Sequence, residues 1–165
     1  MSNETSKIIE ANRHYAKTQF PGKQPVPPSR HVAVLACMDA RLTVSQLAGL
    51  KTGEAHIIRN AGGLATEDAI RSLIISNELL GTKEFLVINH TDCGMLTFKD
   101  ADLQKRLGKK FGTDASSIQF HTFTNLEENV RNQVTKIRNH PLIPREIPVT
   151  GFIYEVETGL LRKVE

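Results

Sequence analysis

The stretch EFLVINHTDCGM, residues 84–95, contains an apolar run that is followed at once by a histidine and a cysteine three positions apart. The run at 84–89 is apolar and has no helical period, which predicts a buried strand. HVAVLA (31–36) and EAHIIRN (54–60) have the same character. Helical patterns separate these strands, and such alternation indicates parallel β–α–β units. We therefore expect an α/β fold with a mostly parallel central β-sheet flanked by helices.

The rest of the chain extends this single α/β domain at both ends. Further helices are predicted at 43–50, 64–81, from the segment after 95 to about Lys110, and at 124–140, and the last 19 residues predict a strand, a turn and a short strand. At the start, a helical pattern from about residue 4 to 17 precedes FPGKQPVPPSR, whose four prolines and one glycine indicate an extended connector. The expected organisation is an N-terminal helical arm with its connector (1–30) and an α/β domain (31–165) that contains the functional residues described below.

Composition limits the classes of function. A chain of 165 residues with 39% hydrophobic and 24% charged residues suits one domain with a real core. No apolar run reaches the ~18 residues that span a bilayer, and the first residues lack the pattern of a signal peptide. Basic residues are scattered, and seven Phe, two Tyr and no Trp offer little for base stacking. We expect a cytoplasmic protein without a membrane or nucleic-acid partner.

The residues with the most distinctive chemistry follow the ends of the three predicted strands. Cys37 follows the first strand, the loop RNAGG (59–63) follows the second, and His90 and Cys93 follow the third. In open α/β sheets, ligands bind beyond the carboxyl ends of the strands. We therefore expect these residues to meet at one edge of the sheet.

The two cysteines allow three interpretations. A disulfide does not suit a chain with intracellular character. Two inert buried thiols are common, but they explain neither the His-x-x-Cys spacing nor the positions just past strand ends. Cys37, His90 and Cys93 together offer two thiolates and one imidazole, which suit tetrahedral zinc and leave a fourth position, as in catalytic sites. His56 or another histidine remains an alternative fourth ligand.

The segment CMDARL (37–42) places an acid and an arginine directly after the first candidate ligand. Asp39 near a metal can bind it or accept a hydrogen bond from metal-bound water, and Arg41 can hold that carboxylate in a bidentate pair. An ordinary ion pair within a loop is the alternative. The position beside Cys37 favours a catalytic role for Asp39 and Arg41.

Three segments together resemble the β-class carbonic anhydrase family: ACMDARL (36–42), GEAHIIRNAGG (53–63) and LVINHTDCGM (86–95). The ending GFIYEVETGLL (151–161) is similar to the last strands of that family. The short chain resembles the compact branch, which also includes hydrolases of carbonyl sulfide and carbon disulfide. The resemblance covers about residues 31 to 165.

The resemblance implies one Zn²⁺ per subunit and hydration of carbon dioxide to bicarbonate by zinc-bound hydroxide. Asp39, held by Arg41, would orient the nucleophile, and it could also swing onto zinc as a fourth ligand. Arg59 and Asn60 resemble positions near the family's site. The arm helix would pack on a partner subunit, which implies a homodimer or homotetramer.

The loop RNAGG allows two interpretations. Its residues, Ala61, Gly62 and Gly63 among them, could line a small pocket beside the metal with their backbone amides, because glycine permits close approach. A tight turn into the next helix is the alternative.

The substrate stays open at this point. Carbon dioxide is the first expectation; carbonyl sulfide, and then carbon disulfide, are alternatives that favour an apolar access route. Five apolar residues could form such a route or belong to the core: Leu42, Leu64, Met95, Leu96 and Phe98. A zinc-binding regulatory protein without catalysis is a third alternative, and the Asp39–Arg41 pair argues against it. A thiol redox protein is disfavoured because the cysteines lack Cys-x-x-Cys spacing.

Overall fold

The structure is a computed structural model that describes residues 3–164. The parts of our expectations that concern residues 1, 2 and 165 lie outside this range. The elements in chain order are α1 (Asn3–Thr18), β1 (Val32–Cys37), α2 (Val44–Leu47), β2 (Ala55–Asn60), α3 (Glu67–Glu78), β3 (Glu84–His90), a 3₁₀ turn (Gly94–Leu96), α4 (Asp100–Phe111), α5 (Leu126–Arg138), β4 (Val149–Tyr154) and β5 (Leu161–Lys163).

The strands form one sheet in the order β2-β1-β3-β4-β5. The first four are parallel, and β5 pairs antiparallel with β4. The predicted α/β class is confirmed. In β1, Ala33 and Leu35 pack into the core under α3 and α5, while Val34 and Ala36 pack on the opposite face with Val44. Burial on both faces explains why β1 is an unbroken apolar run.

Helix α3 begins later than its apolar pattern predicts. We expected a helix over 64–81, but it starts at Glu67, with Thr66 as the N-cap whose side chain accepts from the Ala69 amide. Leu64 and Ala65 lie buried in a loop, where their backbone amides donate to the side chains of Asn60 and of Gln133 on α5. Tertiary hydrogen bonds therefore override the local helical pattern here.

Two helices lie outside the core. Neither α1 nor α4 contains a buried residue, and Ile8 on α1 is 67% exposed. The segment from Gln19 to His31 forms neither helix nor strand. Across residues 3–164, no helix combines the length and apolarity needed to cross a membrane.

Candidate metal centre

The predicted ligands converge at the carboxyl edge of the sheet. Cys37 is the last residue of β1 and His90 is the last residue of the neighbouring β3, and the parallel register, which aligns Ala36 with Ile88, brings these two strand ends together. Cys93 lies three residues after His90, just before the 3₁₀ turn. The two sulfurs and an imidazole nitrogen lie within 4.8 Å of one another, and all three residues are buried. This is the only such group found among residues 3–164.

The imidazole of His90 is oriented for a metal. Its Nδ1 lies 2.8 Å from the carbonyl oxygen of Thr91, which can only accept, so Nδ1 carries the hydrogen and Nε2 presents its lone pair. Nε2 is buried and has no protein hydrogen-bond partner in the described chain. An unsatisfied buried polar atom costs about 1–3 kcal/mol, and a metal ion would remove that cost. Metal-binding histidines commonly have this backbone contact on the other nitrogen.

The two cysteines affect each other's pKa. The thiol of Cys93 hydrogen-bonds to Cys37, which lowers the pKa of Cys37 and raises the pKa of Cys93. The backbone amides of Asp39 and Gly62 also lower the pKa of Cys37, and the amide of Met95 opposes the rise in the pKa of Cys93. These amides stabilise negative sulfur. A metal dication at this position would displace the remaining thiol proton and take both residues as thiolates.

Asp39 is fixed beside the ligands by Arg41. Arg41 donates from Nε to Oδ1 at 3.0 Å and from its terminal nitrogen to Oδ2 at 2.8 Å, and its backbone amide donates to Oδ1 at 2.9 Å. The same Oδ2 lies 3.8 Å from His90 Nε2. The Arg41 guanidinium holds the pKa of the Asp39 carboxyl well below its usual range. Asp39 is therefore an ionised acceptor at the edge of the metal cluster.

Asp92 is a further contact that the sequence analysis did not identify. Arg41 donates to its Oδ2 at 2.7 Å and to its backbone oxygen at 3.0 Å. Asp92 has a φ of 54°, an uncommon conformation that turns this residue toward Arg41. The arginine is thus held from two sides. The position of Asp92 inside the His-x-x-Cys segment was the one signal in the sequence.

The residues of the RNAGG loop divide into two groups. Arg59 donates to the backbone oxygens of Cys37 and Asp39, at 2.9 and 2.6 Å, and Asn60 bonds both backbone groups of Leu64. These two side chains support the backbone and do not line the open cleft. Ala61 and Gly62 do line it.

Gly63 lies behind the cleft, where a side chain does not fit. A Cβ at this position would be 2.8 Å from the backbone nitrogen of Cys37, and the φ of Gly63 is 62°. Both facts require glycine. The loop therefore packs directly on the backbone of the first ligand.

The ligand cluster opens into a cleft of about 800 Å³. Of the five residues proposed for an apolar route, Met95 and Phe98 line this cleft, and Leu42, Leu64 and Leu96 do not. Met38, which the sequence analysis did not select, also lines it and is 65% exposed. The complete lining is Cys37, Met38, Asp39, Ala40, Arg41, Ala61, Gly62, Asp92, Cys93, Gly94, Met95, Thr97 and Phe98.

His56, the proposed alternative ligand, does not join the cluster. It lies on β2, where its Nδ1 is 2.7 Å from the hydroxyl of Ser76 on α3. Three protein ligands therefore converge, with Asp39 next to them and open space beyond. The chemistry of two thiolates and one imidazole fits zinc.

Fold and site together define an α/β protein with a Cys/His/Cys candidate metal centre at the carboxyl edge of a parallel sheet. A family model described as carbonic anhydrase matches residues 32–161. The beta-carbonic anhydrase 1 of Mycobacterium tuberculosis is 42% identical over 160 residues, which cover 97% of each chain. The chain belongs to the β-carbonic anhydrase family, as its sequence motifs indicated.

Two solved structures of similar fold have different named activities. A carbonic anhydrase from Streptococcus mutans is 42% identical, covers 100% of this chain and 99% of its own, and has a TM-score of 0.95. The apo form of a carbon disulfide hydrolase is 34% identical, covers 100% of this chain and 92% of its own, and has a TM-score of 0.74. The family therefore includes relatives with different named activities.

Proposed function

We propose that this protein is a zinc enzyme that hydrates carbon dioxide to bicarbonate. The observation that carries the proposal is the buried Cys37–His90–Cys93 cluster, open on one side to a cleft, with an ionised carboxylate held beside it. Zinc in this position would supply Lewis-acid chemistry, which brings the pKa of a water molecule close to neutrality. Side chains of this protein would orient the attacking water and hold the groups around it.

Asp39 is assigned the role of orienting the attacking water. Its carboxylate can only accept hydrogen bonds, so it fixes the direction of the remaining lone pairs of a nucleophile in the cleft. Arg41 keeps that carboxylate ionised and immobile through its paired contacts. Asp92 holds Arg41 from the outer side. Attack on the carbon of carbon dioxide yields bicarbonate and one proton, which leaves through the open cleft.

Sulfur substrates are the second candidate. Met38, Met95 and Phe98 give the cleft an apolar side that would accept carbonyl sulfide or carbon disulfide. Hydrolysis of carbonyl sulfide would consume one water and release carbon dioxide and one hydrogen sulfide. The similarity to a carbonic anhydrase at 42% identity and a TM-score of 0.95 supports carbon dioxide as the first candidate. A regulatory zinc protein without catalysis would have no need of the doubly held Arg41.

We also propose a homodimer or homotetramer in which residues 1–30 form an arm and residues 31–165 the catalytic domain. Helix α1 exposes Ile8, Ile9 and Tyr15, and a second subunit would cover them. The cleft has the volume of a site for a drug-sized ligand, far more than a triatomic molecule needs. A second subunit at its mouth would narrow it.

The test uses one zinc-quantified preparation. Stopped-flow hydration of carbon dioxide is measured beside sulfide release from carbonyl sulfide and from carbon disulfide. We expect fast hydration and slow sulfide release. Faster sulfide release would assign the protein to the second candidate, and zinc without any of the three activities would refute both.

A matched variant checks that the cluster carries the activity. Cys93→Ser keeps the shape of the ligand but replaces a thiolate with a poor zinc ligand. We expect bound zinc and hydration to be lost together. Ser45→Cys is then added to Cys93→Ser as the control. It returns a thiol on the short helix α2, which holds no ligand, and it should restore neither zinc binding nor hydration.

A further inference from the structure

Three buried or half-buried side-chain amides connect helix α5 to the loop beside the first ligand. They are Gln133 and Asn129 on α5 and Asn89 on β3, and we call them the amide relay. Asn89 is 1% exposed and Asn129 is 7% exposed. Neither lines the cleft, and the proposed reaction uses none of the three.

The relay begins and ends on the same loop. Gln133 Oε1 accepts from the Ala65 amide at 2.9 Å, and Gln133 donates to Asn129 Oδ1, also at 2.9 Å. Asn129 donates to Asn89 Oδ1 at 2.7 Å. Asn89 then donates to the carbonyl oxygens of Gly62 and Gly63, at 2.9 and 3.2 Å.

The direction of the relay is fixed at both ends. A backbone amide such as that of Ala65 can only donate, and the carbonyls of Gly62 and Gly63 can only accept. If one of the three amides turned over, oxygen would face oxygen at one of its contacts and nitrogen would face nitrogen at the other. All three must therefore keep one orientation, and aligned hydrogen bonds in a buried chain strengthen one another.

The end of the relay acts on the metal centre through the loop. Asn89 holds the carbonyls of Gly62 and Gly63, and the amide of Gly62 is one of the groups that lower the pKa of Cys37. Gly63 lies between the Asn89 amide and the Cys37 backbone, since a Cβ there would be 2.9 Å from one and 2.8 Å from the other. A rotation of the Asn89 amide would therefore release these carbonyls and move the glycine backbone that packs on the first ligand.

We propose that Gln133, Asn129 and Asn89 are positioning residues that hold the Gly62–Gly63 backbone against Cys37 and so set how strongly that ligand binds the metal. The inference rests on the proposed metal centre, whereas the identity of the substrate does not enter it. Hydrogen bonds in the outer shell of a metal site typically change metal affinity by 10–100-fold.

The test reverses the relay without changing its shape. In Gln133→Glu, the introduced carboxylate still accepts from Ala65 but cannot donate to Asn129. Asn129 must then turn over, Asn89 must follow, and its oxygen faces the Gly62 carbonyl. Asn129→Asp breaks the middle contact in the same way. Asn132→Asp, an exposed position on the same helix, is the matched control with the same chemical change.

The readouts are metal binding and ligand spectroscopy, not turnover. Zinc affinity is measured by competition with a chromophoric chelator, and the thiolate-to-metal charge-transfer band is recorded after Co²⁺ substitution. We expect Gln133→Glu and Asn129→Asp to weaken zinc binding 10–100-fold and to shift the band. Asn132→Asp should match the wild type.

A pH series separates positioning from simple damage. A buried carboxyl at position 129 can be protonated, and its O–H would then donate to Asn89 Oδ1 and restore the relay. The zinc affinity of Asn129→Asp relative to wild type should recover as the pH falls. Unchanged affinity and band in both variants would overturn the proposal, as would a loss that shows neither a band shift nor this recovery.

The outcomes also separate this inference from the proposed reaction. If the wild type shows the band and the variants shift it while carbon dioxide is not hydrated, the relay stands and the proposed reaction fails. If wild-type protein forms no thiolate–cobalt band, the metal centre and the relay both fail. Should Asn129→Asp not fold, Gln133→Glu decides alone, since Gln133 is only half-buried.

Discussion

The carboxyl edge of the sheet and helix α1 differ in how their residues are held. At the edge, Cys37, His90 and Cys93 are each less than 5% exposed, and side chains from several elements bind the neighbouring loop. In α1, no residue is buried. One chain is therefore enough to assemble the metal cluster, whereas it gives α1 almost nothing to pack against.

The physical reason for the difference is the kind of contact available. Parallel strands fix the positions of their last residues through the register of the ladder, so β1 and β3 place the ligands without outside help. An isolated helix of about 15 residues is only marginally stable in water. Helix α1 has 16 residues, none of them buried, so packing on another surface would stabilise it.

A pair of glycine substitutions gives the largest expected contrast between packed and open regions. Gly63 and Gly112 have nearly the same φ, 62° and 64°, but only Gly63 has neighbours within 4 Å of an added Cβ. Gly63→Ala should lower the free energy of unfolding by about 2–5 kcal/mol, from backbone strain and overpacking together. Gly112→Ala should cost only the strain, about 1–2 kcal/mol. Urea unfolding measures both, and equal losses would contradict the tight packing of the loop on Cys37.

Charged substitutions on helix α1 test whether its exposed apolar face holds subunits together. Ile8→Glu combined with Ile9→Glu places two carboxylates on the apolar face of α1. We expect the particle mass measured by light scattering to fall while zinc content stays near one per chain. Glu10→Lys changes a charge on the opposite face of the helix, about 200° around from Ile8, and should leave the mass unchanged. An unchanged mass in the double variant would show that the arm does not hold subunits together.

Helix α4 is an intermediate case and gives the smallest expected effect. It has no buried residue, but Asp100 at its start accepts from the amides of Phe120, His121 and Thr122 and from the Thr122 hydroxyl. The Thr122 hydroxyl and these amides lower the pKa of Asp100 to about 2.

The pKa of Asp100 predicts the sign of a pH effect. A lowered folded-state pKa stabilises the protein above the unfolded value, about 4, and this contribution is lost as the pH falls toward 2. Wild type should therefore be more stable than Asp100→Asn at pH 7, and the difference should shrink below about pH 4. Paired urea titrations across that range test it, with Asp102→Asn as a control on the same helix. A difference that grows on acidification would contradict the assignment.

The parts of the molecule that the sequence predicted are those with local signals. Apolar runs marked β1 and β3, and the first residues after those strands contained the ligand types of a metal site. Parallel topology then placed Cys37 and His90 together. The family motifs pointed to the same residues.

The parts that were missed depend on contacts between distant segments. Asn129 and Gln133 look like ordinary polar residues of α5, and only the fold shows that they reach Asn89 and Ala65, 40 and 68 positions away. The predicted start of α3 was wrong for the same reason, since Gln133 binds the backbone that would have begun the helix. Amide side chains carry no periodic signal for such contacts.

The most direct measurement of the central claim compares wild type with Asp39→Asn at equal, quantified zinc. The amide keeps the size of the side chain but removes the charge that Arg41 holds. We predict one zinc per chain in both proteins and stopped-flow hydration of carbon dioxide that falls about 10²–10⁴-fold in the variant. Full hydration by Asp39→Asn, or no hydration by zinc-loaded wild type, would contradict the account.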